Sequence, residues 1–91
     1  MNKQDQNELI QSRRHSLRLS KQACEIVQLI MKNFKKNELD AIAAFYNSET
    51  YNLLADYNTK LWWYSINAIF DIFKTEQETG SVFNSPYILE K

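Results

Sequence analysis

A chain of 91 residues with 11 Lys/Arg against 11 Asp/Glu, and with a single Gly, Pro and Cys, has room for one domain and one core. It lacks the turn residues that hairpins and sandwiches need at each reversal, which leaves helices joined by short connections. The lone Cys24 excludes an internal disulfide, and with His15 as the single imidazole the composition argues against a Cys/His zinc site.

The first segment, Asp5 to about Arg18, opens Asp-Gln-Asn-Glu, a carboxylate variant of the capping pattern. Its apolar side is thin, with Leu9, Ile10 and Leu17 as candidates for burial, so residues 1–6 are expected to fray. Ser20 offers an N-cap for a second helix to about Lys36, where Ala23, Ile26, Val27, Ile30, Met31 and Phe34 recur at helical spacing. Cys24 is expected near the buried edge of that helix. Lys32, Lys35 and Lys36 suit its last turns, where the dipole favours cations. Asn37 can cap the next helix, with Leu39, Ile42, Ala43 and Tyr46 as its stripe and Phe45 beside it. Ser48 can cap a short helix over 49–55, with Tyr51, Leu53 and Leu54 as its apolar members. Asp56 to Lys60 reads as a loop. Ser65 then caps a helix over 66–79, in which Ile66, Ile69, Phe70 and Phe73 form the stripe and Gly80 supplies the left-handed terminus. The tail, residues 81–91, is more apolar than a solvated terminus needs to be. It is expected either to pack on its own bundle or to enter a groove on another copy or partner.

The fold class expected is therefore all-α: a single domain over 1–91, a bundle of four to five helices with an extended apolar C-terminal tail. Its predicted core is Ile26, Val27, Ile30, Phe34, Leu39, Ile42, Tyr46, Leu54, Trp62, Ile69, Phe70 and Phe73. No apolar run approaches the roughly 20 residues of a membrane span, and Met1 to Gln11 is polar where a signal peptide would be hydrophobic. The expectation is a cytoplasmic protein that makes no membrane contact.

Catalysis needs groups that act together. One histidine, one cysteine, no glycine-rich phosphate loop and no ligand cluster argue for a non-enzymatic protein with no catalytic, cofactor-binding or metal site. The carboxylate pairs Glu76/Glu78 and Glu38/Asp40 fall on expected solvated faces near helix ends, a poor setting for acid–base work. Charge is unevenly divided: residues 1–36 hold eight Lys/Arg against three Asp/Glu, and residues 37–91 hold three against eight. Arg13, Arg14, Arg18 and Lys21 form a candidate basic patch, since arginines one turn apart can meet successive phosphates. A solvated basic face is the default reading, with contacts from the arginines to the acidic half explaining part of it. Aromatic residues crowd the interior loop. Trp62 and Trp63 must diverge, so one of them is expected at the surface, where Trp and Tyr anchor protein interfaces.

The stretch Phe45-Tyr46-Asn47-Ser48-Glu49-Thr50-Tyr51-Asn52-Leu53-Leu54, then Thr59-Lys60-Leu61-Trp62, Ser65 and the helix ending Glu78-Thr79-Gly80, resembles short uncharacterised all-helical bacterial proteins over residues 45–80. The resemblance implies a compact helical fold in a bacterial setting and carries over no site residues.

The functional expectation is a protein-interaction module, with a homodimer as one form, that uses Trp63, Tyr64, Phe83, Tyr87 and Ile88. The alternative is a small nucleic-acid-binding regulator that uses Arg13, Arg14, Arg18 and Lys21.

Overall fold

The computed structural model describes residues 3–89, with side chains for Ile10 and for residues 13–88. The expected burial of Leu9, and the expectations for Met1, Asn2 and the end of the tail from Leu89, lie outside the described side chains or residues. Helix α1, Lys3–Phe34, runs 32 residues without a break. At about 1.5 Å per residue it is as long as the 48 Å long dimension of the molecule. A cap at Ser20 is therefore corrected: Leu19, Ala23, Ile26 and Val27 continue one apolar stripe through this point, and Ser20 lies exposed off that stripe. Cys24, expected near a buried edge, is exposed for the same reason. The helix ends at Phe34, and Lys35 takes a left-handed φ of 54°.

Local side-chain chemistry sets the next boundaries. Asn37 caps α2, Glu38–Tyr46, by accepting from the Asp40 N–H at 2.8 Å. Ser48 caps α3, Glu49–Ala55, by accepting from Tyr51 N–H while donating its own hydroxyl to the Phe45 carbonyl. Two 3₁₀ turns, Tyr57–Thr59 and Leu61–Trp63, follow with left-handed Lys60 (φ 62°) between them. Ser65 caps α4, Ile66–Thr79, which stops at left-handed Gly80 (φ 86°). Each cap satisfies a donor that a helix end leaves unpaired.

The core lies between the second half of α1 and helices α2, α3 and α4. Ile26, Val27, Ile30, Leu54, Ile69 and Phe73 are buried as expected, with Phe34, Ile42, Trp62 and Phe70 packed at its edge. Helix α2 is rotated from the predicted orientation. Leu39 is 78% exposed and Tyr46 is 43% exposed, while Ala41 and Phe45 are fully buried. The reason is steric and aromatic: Ala41 fits a buried position on α2, and Phe45 meets Phe73 at 5.8 Å and Tyr51 at 5.4 Å in edge-to-face contacts.

Helix α4 also holds the start of α3 directly. The Glu76 carboxylate accepts from Glu49 N–H (2.8 Å), Thr50 N–H (3.0 Å) and the Thr50 hydroxyl (2.7 Å). A carboxylate at a helix N-terminus is favoured by both hydrogen bonding and the dipole. Glu76 is thus half-buried and occupied structurally, where a solvated face was expected.

The tail is not extended. Ser81 accepts from Phe83 N–H and Ser85 from Tyr87 N–H, and these bonds start a 3₁₀ turn, Val82–Asn84, and a short helix α5, Pro86–Leu89. Pro86 suits the first position of a helix because its missing N–H is not needed there. Val82 and Ser85 are buried, so the tail packs back on its own bundle against α4. No helix among the described residues is long and apolar enough to cross a membrane.

Urea denaturation checks this packing. Phe45→Ala should cost about 3–5 kcal/mol, whereas Leu39→Ala should cost no more than about 0.5 kcal/mol. Glu76→Ala, which orphans the fully buried Thr50, should cost about 2–3 kcal/mol.

Candidate functional site

The segment between α3 and α4 carries Trp63, at 75% the most exposed aromatic residue among those described, and its position is fixed from α1. His15 and Gln22 lie two turns apart on one side of α1, and both are buried. The His15 Nε2 lies 3.0 Å from the Ala55 carbonyl, one of the carbonyls that the end of α3 leaves without an intrahelical partner. The Gln22 amide donates to the Trp62 carbonyl at 3.0 Å. The two remaining polar atoms, His15 Nδ1 and Gln22 Oε1, are buried without a protein partner. Within the segment, Asp56 accepts from Asn58 N–H, the Thr59 hydroxyl donates to the Leu53 and Asp56 carbonyls, and Trp62 Nε1 donates to the Tyr57 carbonyl at 2.9 Å.

A 3₁₀ turn advances about 120° per residue, so neighbours point in three directions. Leu61 enters the core, Trp62 turns to α1, and Trp63 faces outward at 75% exposure. Tyr64, in extended conformation, reaches the tail, where it meets Tyr87 edge-to-face at 5.8 Å. Two surfaces result. On one, Tyr64, Phe83, Tyr87 and Ile88, together with Leu53, Thr59 and Leu61, line a cavity of about 360 Å³. Phe83 is 58% exposed at its rim. Four of the five residues expected to form a protein interface thus line one cavity. Trp63 is not among them and stands beside it through its neighbour Tyr64.

On the other surface, Tyr57 and Trp62 stack at 5.2 Å with their planes 25° apart. The Arg18 guanidinium lies 4.7 Å from the Trp62 ring centre, and the Lys60 ammonium lies 4.8 Å from that of Tyr57. Arg14 joins Arg18, Tyr57 and Trp62 around a smaller cleft of about 190 Å³. Of the basic patch read from sequence, Arg14 and Arg18 line this cleft; Arg13 and Lys21 are exposed on α1 without lining it. His15, which shares the basic run in sequence, turns inward and meets Tyr57 and Trp62 edge-on. Sequence reasoning missed Lys60, Tyr57 and Trp62 as members of the basic surface. The closeness of Tyr57 to Lys60 was visible, but the partner arginines lie 39 to 48 positions away in sequence.

No family model, curated protein or solved structure matches the chain.

Removing either tether should loosen the segment. His15→Ala and Gln22→Ala are each expected to lower the unfolding free energy by about 1–3 kcal/mol, with a red shift of tryptophan emission as Trp62 becomes more exposed. Urea titration followed by fluorescence measures both quantities.

Proposed function

We propose that this domain is a non-enzymatic protein-interaction module, and that the aromatic-rimmed cavity with Trp63 beside it is its contact surface, occupied by a second copy of the chain. The observation that carries the reading is convergence. Tyr64, Phe83, Tyr87 and Ile88 come from two separate stretches of sequence and line one cavity, next to a tryptophan that is three-quarters exposed. Rigid aromatic side chains expose large apolar area at small cost in conformational entropy, which makes them effective anchors.

Trp63, next in sequence to the cavity-lining Tyr64 and 5.5 Å from the Trp62 ring, is the exposed knob of this reading, and reciprocal insertion places it in the cavity of the other copy. That is the self-complementary arrangement of a two-fold dimer. A cavity of about 360 Å³ has room for an indole ring. The non-enzymatic part of the reading is supported by the commitment of the single imidazole: His15 is buried and tied to the Ala55 carbonyl. A cytoplasmic setting suits Cys24, an exposed thiol in a chain with no second cysteine.

Light scattering on a sizing column tests the proposal at two protein concentrations and at low and high salt. The expected result is twice the chain mass at the higher concentration, insensitive to salt because the contact is apolar, and a return to monomer in Trp63→Ala and in Phe83→Ala. A monomer under every condition, or a dimer that both substitutions leave intact, overturns it.

A further inference from the structure

We propose that the cleft formed by Arg14, Arg18, Tyr57 and Trp62, with Lys60 at its edge, binds single-stranded nucleic acid, holding a phosphate on the arginines and an unpaired base against the ring walls. This inference does not depend on the protein-docking reading, because none of these residues lines the aromatic-rimmed cavity.

Three observations carry it. First, the cations are held in place. A guanidinium lying 4.7 Å over the Trp62 ring keeps its N–H edge free in the plane of the group, and that edge is what a phosphate accepts from. Arg14, one turn earlier on α1, shares the cleft, so two guanidinium groups border one hollow. Second, Lys60 adds a third positive charge from the opposite element, 4.8 Å from Tyr57 and 5.8 Å from Trp62. The segment's own carboxylate, Asp56, is turned back to accept from Asn58 N–H. Arg13 and Lys21, both exposed on α1, extend the positive surface for the flanking phosphates of a strand. Third, the walls between these cations are aromatic. Tyr57 and Trp62 are each half-buried and stacked on one another, with Arg18 over Trp62 and Lys60 over Tyr57, so a base meets the ring edges that border the cleft or stacks on the guanidinium plane that covers them.

Basic residues interleaved with stacked rings are the arrangement by which sequence-tolerant proteins track an unpaired strand, with the backbone on the cations and the bases on the rings. A duplex keeps its bases stacked inside and could use only the charges, leaving the ring walls without a role. A peptide of Asp and Glu alone likewise offers carboxylates to the arginines and no ring to stack on.

The test uses the full chain and a fluorescently labelled oligothymidylate of about 12 nucleotides, within the range of site sizes for such surfaces. A duplex of the same length and an oligoglutamate peptide serve as competitors. The expected result is binding of the single strand about tenfold tighter than the duplex, with quenching of Trp62 emission in a Trp63→Phe background, where Trp62 is the only indole. Arg14→Gln with Arg18→Gln should weaken binding at least tenfold and reduce the slope of log affinity against log salt by about 0.7, the value for the one phosphate contact they share on a single strand. Both arginines are exposed, and an unchanged thermal midpoint in the double variant shows that the loss is one of contacts. Equal affinity for the duplex overturns the proposal, as does absence of quenching. So does oligoglutamate competing as well as the oligonucleotide, or affinity unchanged in the double variant.

Discussion

Two hydrogen bonds from one face of α1 govern the arrangement of everything that this molecule presents to its surroundings. His15 meets the Ala55 carbonyl and Gln22 holds the Trp62 carbonyl, so the connection between α3 and α4 is fastened at both ends to a single rigid rod. The spacing of the two side chains along the helix sets the span of the segment. Inside that span Tyr57, Lys60 and Trp62 have little freedom, and Tyr64 leaves it in a defined direction. The arrangement is demanding because each tether uses only part of its side chain's hydrogen-bonding capacity, leaving a buried nitrogen and a buried oxygen without a protein partner. Such groups cost stability unless solvent reaches them, and their presence in a domain with few other polar interior groups indicates that the position of the segment is tightly specified.

The unequal distribution of charge acquires a physical meaning from this geometry. The basic first third of the chain forms one long helix, and the more acidic remainder folds against its second half. Neutralisation between the halves is incomplete where it would be simplest, because Arg18 lies over an aromatic ring. A guanidinium over a ring keeps its charge and its donors available, whereas a carboxylate would consume both. Meanwhile Glu76, from the acidic half, serves the backbone of α3. The result is a neutral molecule with a basic face and an apolar aromatic face, joined by four consecutive residues, Leu61 to Tyr64.

Much of this was legible in the sequence, and the parts that were not share a cause. Asn37, Ser48, Ser65 and Gly80 marked helix ends correctly because capping is chemistry between near neighbours. Ser20 carries the same side chain and marks nothing, because the apolar stripe of α1 continues past it on another face of the helix and tertiary packing rewards the longer helix. In α2, nine residues long, a rotation of roughly 130° about the helix axis separates the stripe Leu39/Tyr46 from the stripe Ala41/Phe45. No local pattern distinguishes them, and the choice falls to the aromatic contacts of Phe45 with Phe73 and Tyr51. The surplus of aromatic residues and the divergence of the paired tryptophans could be read directly. Their partners could not: Tyr64 finds Tyr87 only because the tail folds back in two helical turns, and Trp62 finds Arg18 across 44 positions of sequence.

Lys60 connects these features to the limits of the fold. Its left-handed backbone lets one 3₁₀ turn follow another, and a side chain with a Cβ in that conformation costs roughly 1 kcal/mol that glycine would not. Glycine at this position would relieve the strain and also delete the ammonium above Tyr57. Thermostability and surface chemistry therefore pull residue 60 in opposite directions. A selection for higher melting temperature alone would be expected to drift toward glycine here, yielding a sturdier molecule with a less basic face.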